Sequence, residues 1–126
     1  MTITTLSRLL ITLAFVVLVI VLSVIPGKSQ TGDSIFVWLI ANTPTLVQKL
    51  MHVAVYAALV FLWAWTLEHI ESQTIRLATA FALTVSLGIA LEWYQTTVPG
   101  RFGTLLDVLL NSLGALAGVI VAMLLL

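Results

Sequence analysis

The stretch LLITLAFVVLVIVLSVIPG, from Leu9 to Gly27, decides the class of the molecule. It carries no charged residue. At about 1.5 Å of rise per residue, a helix of that length crosses the roughly 30 Å hydrocarbon core of a bilayer. A cleaved signal peptide is the competing reading. The apolar run is too long for a signal h-region, and no small-x-small site precedes Pro26, so the stretch reads as a retained membrane helix.

The rest of the 126-residue chain agrees with that reading. Apolar residues make up 61% of it and charged residues 8%. A soluble domain carries about 25% charged residues, so this surface is suited to lipid rather than water. Five basic residues balance five acidic ones. That leaves no basic footprint for nucleic acid. Cysteine is absent, which excludes disulfides, thiolate metal sites and thiol nucleophiles.

Pro26, Gly27 and Lys28 end the first helix, and the polar run Ser29 to Asp33 follows. Ile35 to Ala41 is apolar but too short to span; with Phe36 and Trp38 it reads as a segment lying at the interface. Thr43 and Pro44 predict the start of a second helix as N-cap and first helical residue. That helix runs to about Leu67. Glu68 to Thr74 is a polar turn, and a third helix is expected from about Ile75 to Gln95. After the loop Thr96 to Thr104, a fourth helix continues to Leu126. The expected fold is all-α: one domain over residues 1–126, a membrane bundle of four transmembrane helices with a short interfacial segment after the first.

Arg8, Arg76 and the N-terminal amine share one side of such a bundle. Lys28, Lys49 and Arg101 share the other. A bare count of positive charge puts the second side in the cytoplasm. With Lys49 and Arg101 discounted as partners of carboxylates, the count reverses and the N-terminus is expected inside. Trp63 and Trp65 at one interface, with Trp38, Trp93 and Tyr94 at the other, fit paired aromatic belts.

The polar residues collect at one end. Lys49 and His52 lie early in helix two, Glu92 and Gln95 in the last turn of helix three, Arg101 in the next loop, and Asp107 and Asn111 early in helix four. Lys49, His52 and Tyr56 fall within about 60° of one another on a helical wheel, as do Asp107, Asn111, Gly114 and Gly118. Ionised groups inside a membrane turn away from lipid, pair, and mark functional sites. The sequence thus predicts a partly buried pocket lined by Lys49, His52, Tyr56, Glu92, Gln95, Arg101, Asp107 and Asn111.

Each of these residues also has a plain structural role open to it. Lys49 can snorkel to the interface. His52 can donate to a backbone carbonyl. Glu92 at a helix C-terminus calls for a cation, and Arg101 is the expected partner. Thr104-x-x-Asp107 has the spacing of a capping box. Asn111 sits a turn deeper and is expected to bond to another helix. Gly114 and Gly118 form Gly-x-x-x-Gly, expected to serve packing inside the monomer. Glu68, His69 and Glu71 read as a solvated turn, and Ser86 is isolated from any base.

Ser23-x-x-Pro26, Lys49-x-x-His52 with Tyr56, Glu92-x-x-Gln95, Pro99-Gly100-Arg101, Asp107-x-x-x-Asn111-x-x-Gly114 and Gly118 together resemble the VanZ-like family of bacterial membrane proteins. The resemblance covers Ser23 to Gly118. One departure is Gln48, where the family often has an acid before the lysine. The resemblance implies a small multi-pass protein of the bacterial inner membrane and a role in the cell envelope. The family takes its name from a protein that gives low-level resistance to teicoplanin, a glycopeptide with a lipid tail.

Three functions are compatible with these residues. The first is binding of an anionic or lipid-linked cell-wall headgroup by Lys49 and Arg101, since a guanidinium fork and an ammonium suit phosphate. The second is a membrane enzyme in which His52, Glu92 and Asp107 act as acid and base or hold a metal. The third is an accessory subunit whose ion pairs only lock helix ends. No metal-binding spacing such as His-Glu-x-x-His is present, so no metal or other cofactor is assigned from sequence. A channel is disfavoured because the polar groups stop on one side. The reaction, if there is one, and any protein partner are not specified.

Overall fold

The computed structural model describes residues 3–24, 45–95, 97 and 105–126. They form four helices: α1 (Ile3–Val24), α2 (Thr45–Thr66), α3 (Gln73–Gln95) and α4 (Leu105–Leu125). No strand occurs among the described residues. Ile3–Val21, Lys49–Thr66, Gln73–Gln95 and Asp107–Leu125 are each long and apolar enough to cross a membrane. The chain is a multi-pass membrane protein. Residues 25–44, which carry the expected interfacial segment and the Thr43–Pro44 helix start, lie outside the described residues.

The helices hold their few hydroxyls by local bonds. Ser7, Thr84 and Ser112 each donate to the carbonyl four residues earlier, at 2.9, 2.8 and 3.0 Å. In hydrocarbon an unpaired hydroxyl is costly, and this back-bonding removes the cost within one helix. Ser72 caps α3: its Oγ accepts from the Ile75 amide at 3.3 Å. At the far end of α3, Thr97 donates to the Tyr94 carbonyl through its amide at 2.9 Å and its hydroxyl at 2.7 Å.

α2 and α4 make the closest interface, and α3 packs on both. The buried positions recur at helical spacing: Tyr56, Leu59, Val60 and Ala64 on α2; Leu77, Ala80, Thr84, Gly88, Leu91 and Gln95 on α3; Asn111, Ala115 and Ala122 on α4. Small residues, Ala64, Ala80, Thr84, Gly88, Ala115 and Ala122, recur through this core, as in membrane bundles, where close backbone approach replaces the hydrophobic drive. Helix α1 is peripheral. It packs on α2 and α3, makes no contact with α4 among the described residues, and buries mainly Thr12 and Val19. Many of its large apolar side chains, such as Leu10, Ile11 and Val17, are exposed and suited to face lipid, while Leu9, Phe15, Val16 and Ile20 are half-buried.

Candidate functional site

The alternation of up and down helices carries the start of α2, the end of α3 and the start of α4 to one end of the bundle. His52 lies seven residues into α2, about 10 Å below its first residue. Glu92 lies one turn before the end of α3, and Asp107 is in the first turn of α4. These three residues, one from each helix, converge: a His52 ring nitrogen and one oxygen of each carboxylate lie within 4.8 Å of one another.

Around that point the sequence-predicted residues take distinct places. The His52 Nδ1 and Asn111 Oδ1 are 2.8 Å apart, joining α2 to α4. The Tyr56 ring lies parallel to the His52 ring, 6.4 Å away between centroids. Tyr56, Glu92, Gln95 and Asn111 are buried, while Lys49, His52 and Asp107 are half-buried. Asn111 is 2% exposed, and its Nδ2 is a buried donor with no partner among the described residues. Trp93 and Tyr94, next to Glu92 in sequence, are exposed as an aromatic belt requires. Arg101, the expected partner of Glu92, lies outside the described residues, as does Thr104 of the expected capping box.

Glycines let the three helices approach closely enough to bring these groups together. A Cβ on Gly114 would run into the Val53 carbonyl and come within 2.9 Å of the Val53 Cα. A Cβ on Gly118 would lie 2.9 Å from the Val60 Cβ and 3.0 Å from the Ala57 Cα. The Gly-x-x-x-Gly stripe therefore seats α4 on α2 inside one chain. Gly88 was not singled out in the sequence. A Cβ there would stand 3.0 Å from the Tyr56 ring and 3.2 Å from the Asn111 Nδ2, so this glycine makes room for both side chains. The signal available was its place one turn before Glu92 on the same face of α3.

The opposite end holds a second polar network. The Arg8 guanidinium of α1 forms an ion pair with Glu68 and donates to the Trp65 carbonyl at 3.2 Å. It also lies 4.9 Å over the Trp65 ring. The Thr12 and Thr66 hydroxyls, both buried, are 2.6 Å apart; Thr66 also donates to the Arg8 carbonyl at 3.3 Å. Arg76 donates to the Ile70 carbonyl at 3.2 Å and holds the turn. Glu68, His69 and Glu71 are exposed, as a solvated turn requires, although Glu68 is engaged by Arg8. Ser86 is exposed on α3, away from this network and from the convergence point.

Compared with known proteins, the chain matches one family model, described as VanZ/LLP1, over residues 6–126. No curated protein and no solved structure matches it.

Proposed function

The chain belongs to the VanZ-like family of membrane proteins, and from that membership and its polar bundle end we propose that it binds an anionic, lipid-linked headgroup of the cell envelope. The observation that carries this reading is the buried amide of Asn111. Its Nδ2 has no acceptor among the described residues, and it sits at a junction of three helices. A buried donor held beside ionisable groups is suited to a ligand oxygen. Lys49 enters from the same face of α2 as His52 and Tyr56 and supplies a cation. Arg101 adds a second, bidentate one. The apolar outer walls of the helices suit an acyl or prenyl chain.

In this reading the protein lies in the bacterial inner membrane with its N-terminus in the cytoplasm and the polar end outside, where lipid-linked wall intermediates are exposed. Occupation or shielding of such a headgroup is also how the protein would affect a lipid-tailed glycopeptide such as teicoplanin. The test is native mass spectrometry from mild detergent, wild type beside Lys49→Ala and Arg101→Ala. The reading predicts a co-purifying anionic lipid in the wild type that is depleted in both variants. A wild type free of lipid, with variants that only melt earlier, would instead favour a structural ion-pair cluster.

A further inference from the structure

His52, Glu92 and Asp107 are far apart in sequence and share no metal-binding motif, yet their ligand atoms gather within 4.8 Å. We propose that these three residues form a binding site for a divalent transition-metal cation of the Zn²⁺ or Mn²⁺ class. An ion bonded at about 2.0–2.2 Å holds neighbouring ligand atoms roughly 3–3.5 Å apart. The observed atoms lie within 4.8 Å of one another, so a bound ion would draw them together by about 1.5 Å at most. One imidazole and two carboxylates form a mixed nitrogen and oxygen set. Such a set suits zinc, manganese or ferrous iron better than calcium or magnesium, which take oxygen ligands.

Two further features fit a metal ligand rather than a chance cluster. The first is the support of His52. Its Nδ1 lies 2.8 Å from the Asn111 Oδ1. An imidazole that donates Nδ1–H to this oxygen has one tautomer fixed and presents the Nε2 lone pair, the arrangement in which metal-bound histidines are held. Asn111 is itself buried, being 2% exposed in the room that Gly88 leaves for it. The second feature is charge. Glu92 is buried one turn before the end of its span, and Asp107 opens the next. A dication offsets two carboxylates at once, in addition to the interactions each already makes. Each carboxylate has a second oxygen for its other bonds.

Three protein ligands leave coordination positions open, as in catalytic rather than structural zinc sites. A water or a phosphate oxygen can fill them. The cation would also relieve the repulsion between these carboxylates and an anionic headgroup. The inference stands on ligand geometry, however, and holds whether or not a headgroup binds.

The experiment is a titration with Co²⁺ alone, using full-length protein without a polyhistidine tag, stripped with chelator, in a neutral maltoside detergent free of anionic lipid. The expected result is saturable visible ligand-field absorption with one Co²⁺ per chain, displaced by Zn²⁺. Glu92→Gln combined with Asp107→Asn should abolish it. Asn111→Ala should weaken Co²⁺ binding by about 10–100-fold, the usual cost of losing an outer-shell partner. Arg8→Gln, at the other end of the bundle, should leave it unchanged. Absence of saturable absorption in the wild type would overturn the proposal, a result that needs no variant to fold. Equal binding by the Glu92/Asp107 double variant would overturn it as well.

Discussion

At the end near the N-terminus, Arg8 is surrounded by its own answers: the Glu68 carboxylate, the Trp65 carbonyl and the Trp65 ring. Below it, Thr12 and Thr66 bond to each other. The Arg8 Nη1 and the two threonine hydroxyls meet partners from neighbouring segments and Glu68 is open to water, while the Arg8 and Arg76 Nε atoms are buried with no hydrogen-bond partner among the described residues. At the other end, His52, Glu92, Asp107 and Asn111 come from three helices and meet at one place. There a buried amide nitrogen has no partner among the described residues, and glycines clear the space around it. The same chemical types are used in two ways. The first network fastens a peripheral helix to the bundle. The second gathers a histidine, an amide and two carboxylates from three helices, a set that fastening alone would not require.

This contrast makes ordered predictions. The largest effect is expected at Gly114, because any side chain there meets the Val53 backbone. Gly114→Leu should destabilise the bundle by about 3 kcal/mol, the upper part of the usual overpacking range, and remove lipid retention with it. Detergent-unfolding midpoints check this. Next comes Asn111→Ala, which leaves His52 without its partner. A cost of about 1–2 kcal/mol is expected, with a loss of co-purifying anionic lipid out of proportion to that change. Smaller again is the Thr12–Thr66 bond. A double-mutant cycle with Thr12→Val and Thr66→Val should give a coupling of about 0.6 kcal/mol, with lipid retention intact. The smallest effect belongs to Glu68→Gln. The Glu68 side chain is 45% exposed, so a change of about 0.5 kcal/mol or less is expected, shrinking as salt is added. Lipid loss in either of the last two variants would erase the distinction between the ends.

Much of the fold was legible because the chain has only one way to satisfy long apolar runs in lipid. The third helix was expected from about Ile75 and begins at Gln73. Its polar first turn has the composition of a loop, but Ser72 supplies the cap that allows the helix to start earlier. The second was expected to end near Leu67 and ends at Thr66. At the polar end, the shared faces of Lys49, His52 and Tyr56, and of Asp107 and Asn111, follow from helical periodicity. The His52–Asn111 bond and the closeness of His52 to both carboxylates do not, since they depend on how α2, α3 and α4 are rotated against one another. The Arg8–Glu68 pair and the Thr12–Thr66 bond were hidden for the same reason. Nothing local identifies the partner of a single threonine in an apolar run. Gly88 acts through space it leaves for other helices, and a sequence shows that only once the facing residues are known.

The most direct test of the account is the thermal stability of purified protein in neutral nanodiscs, with and without added anionic lipid. Wild type, Lys49→Ala/Asn111→Ala and Glu68→Gln would be measured side by side. The account predicts that anionic lipid raises the melting temperature of the wild type and of Glu68→Gln by the same amount and leaves the Lys49/Asn111 double variant unmoved. An equal rise in all three proteins, or none in the wild type, would contradict it and place the polar end beside the other as a second structural lock.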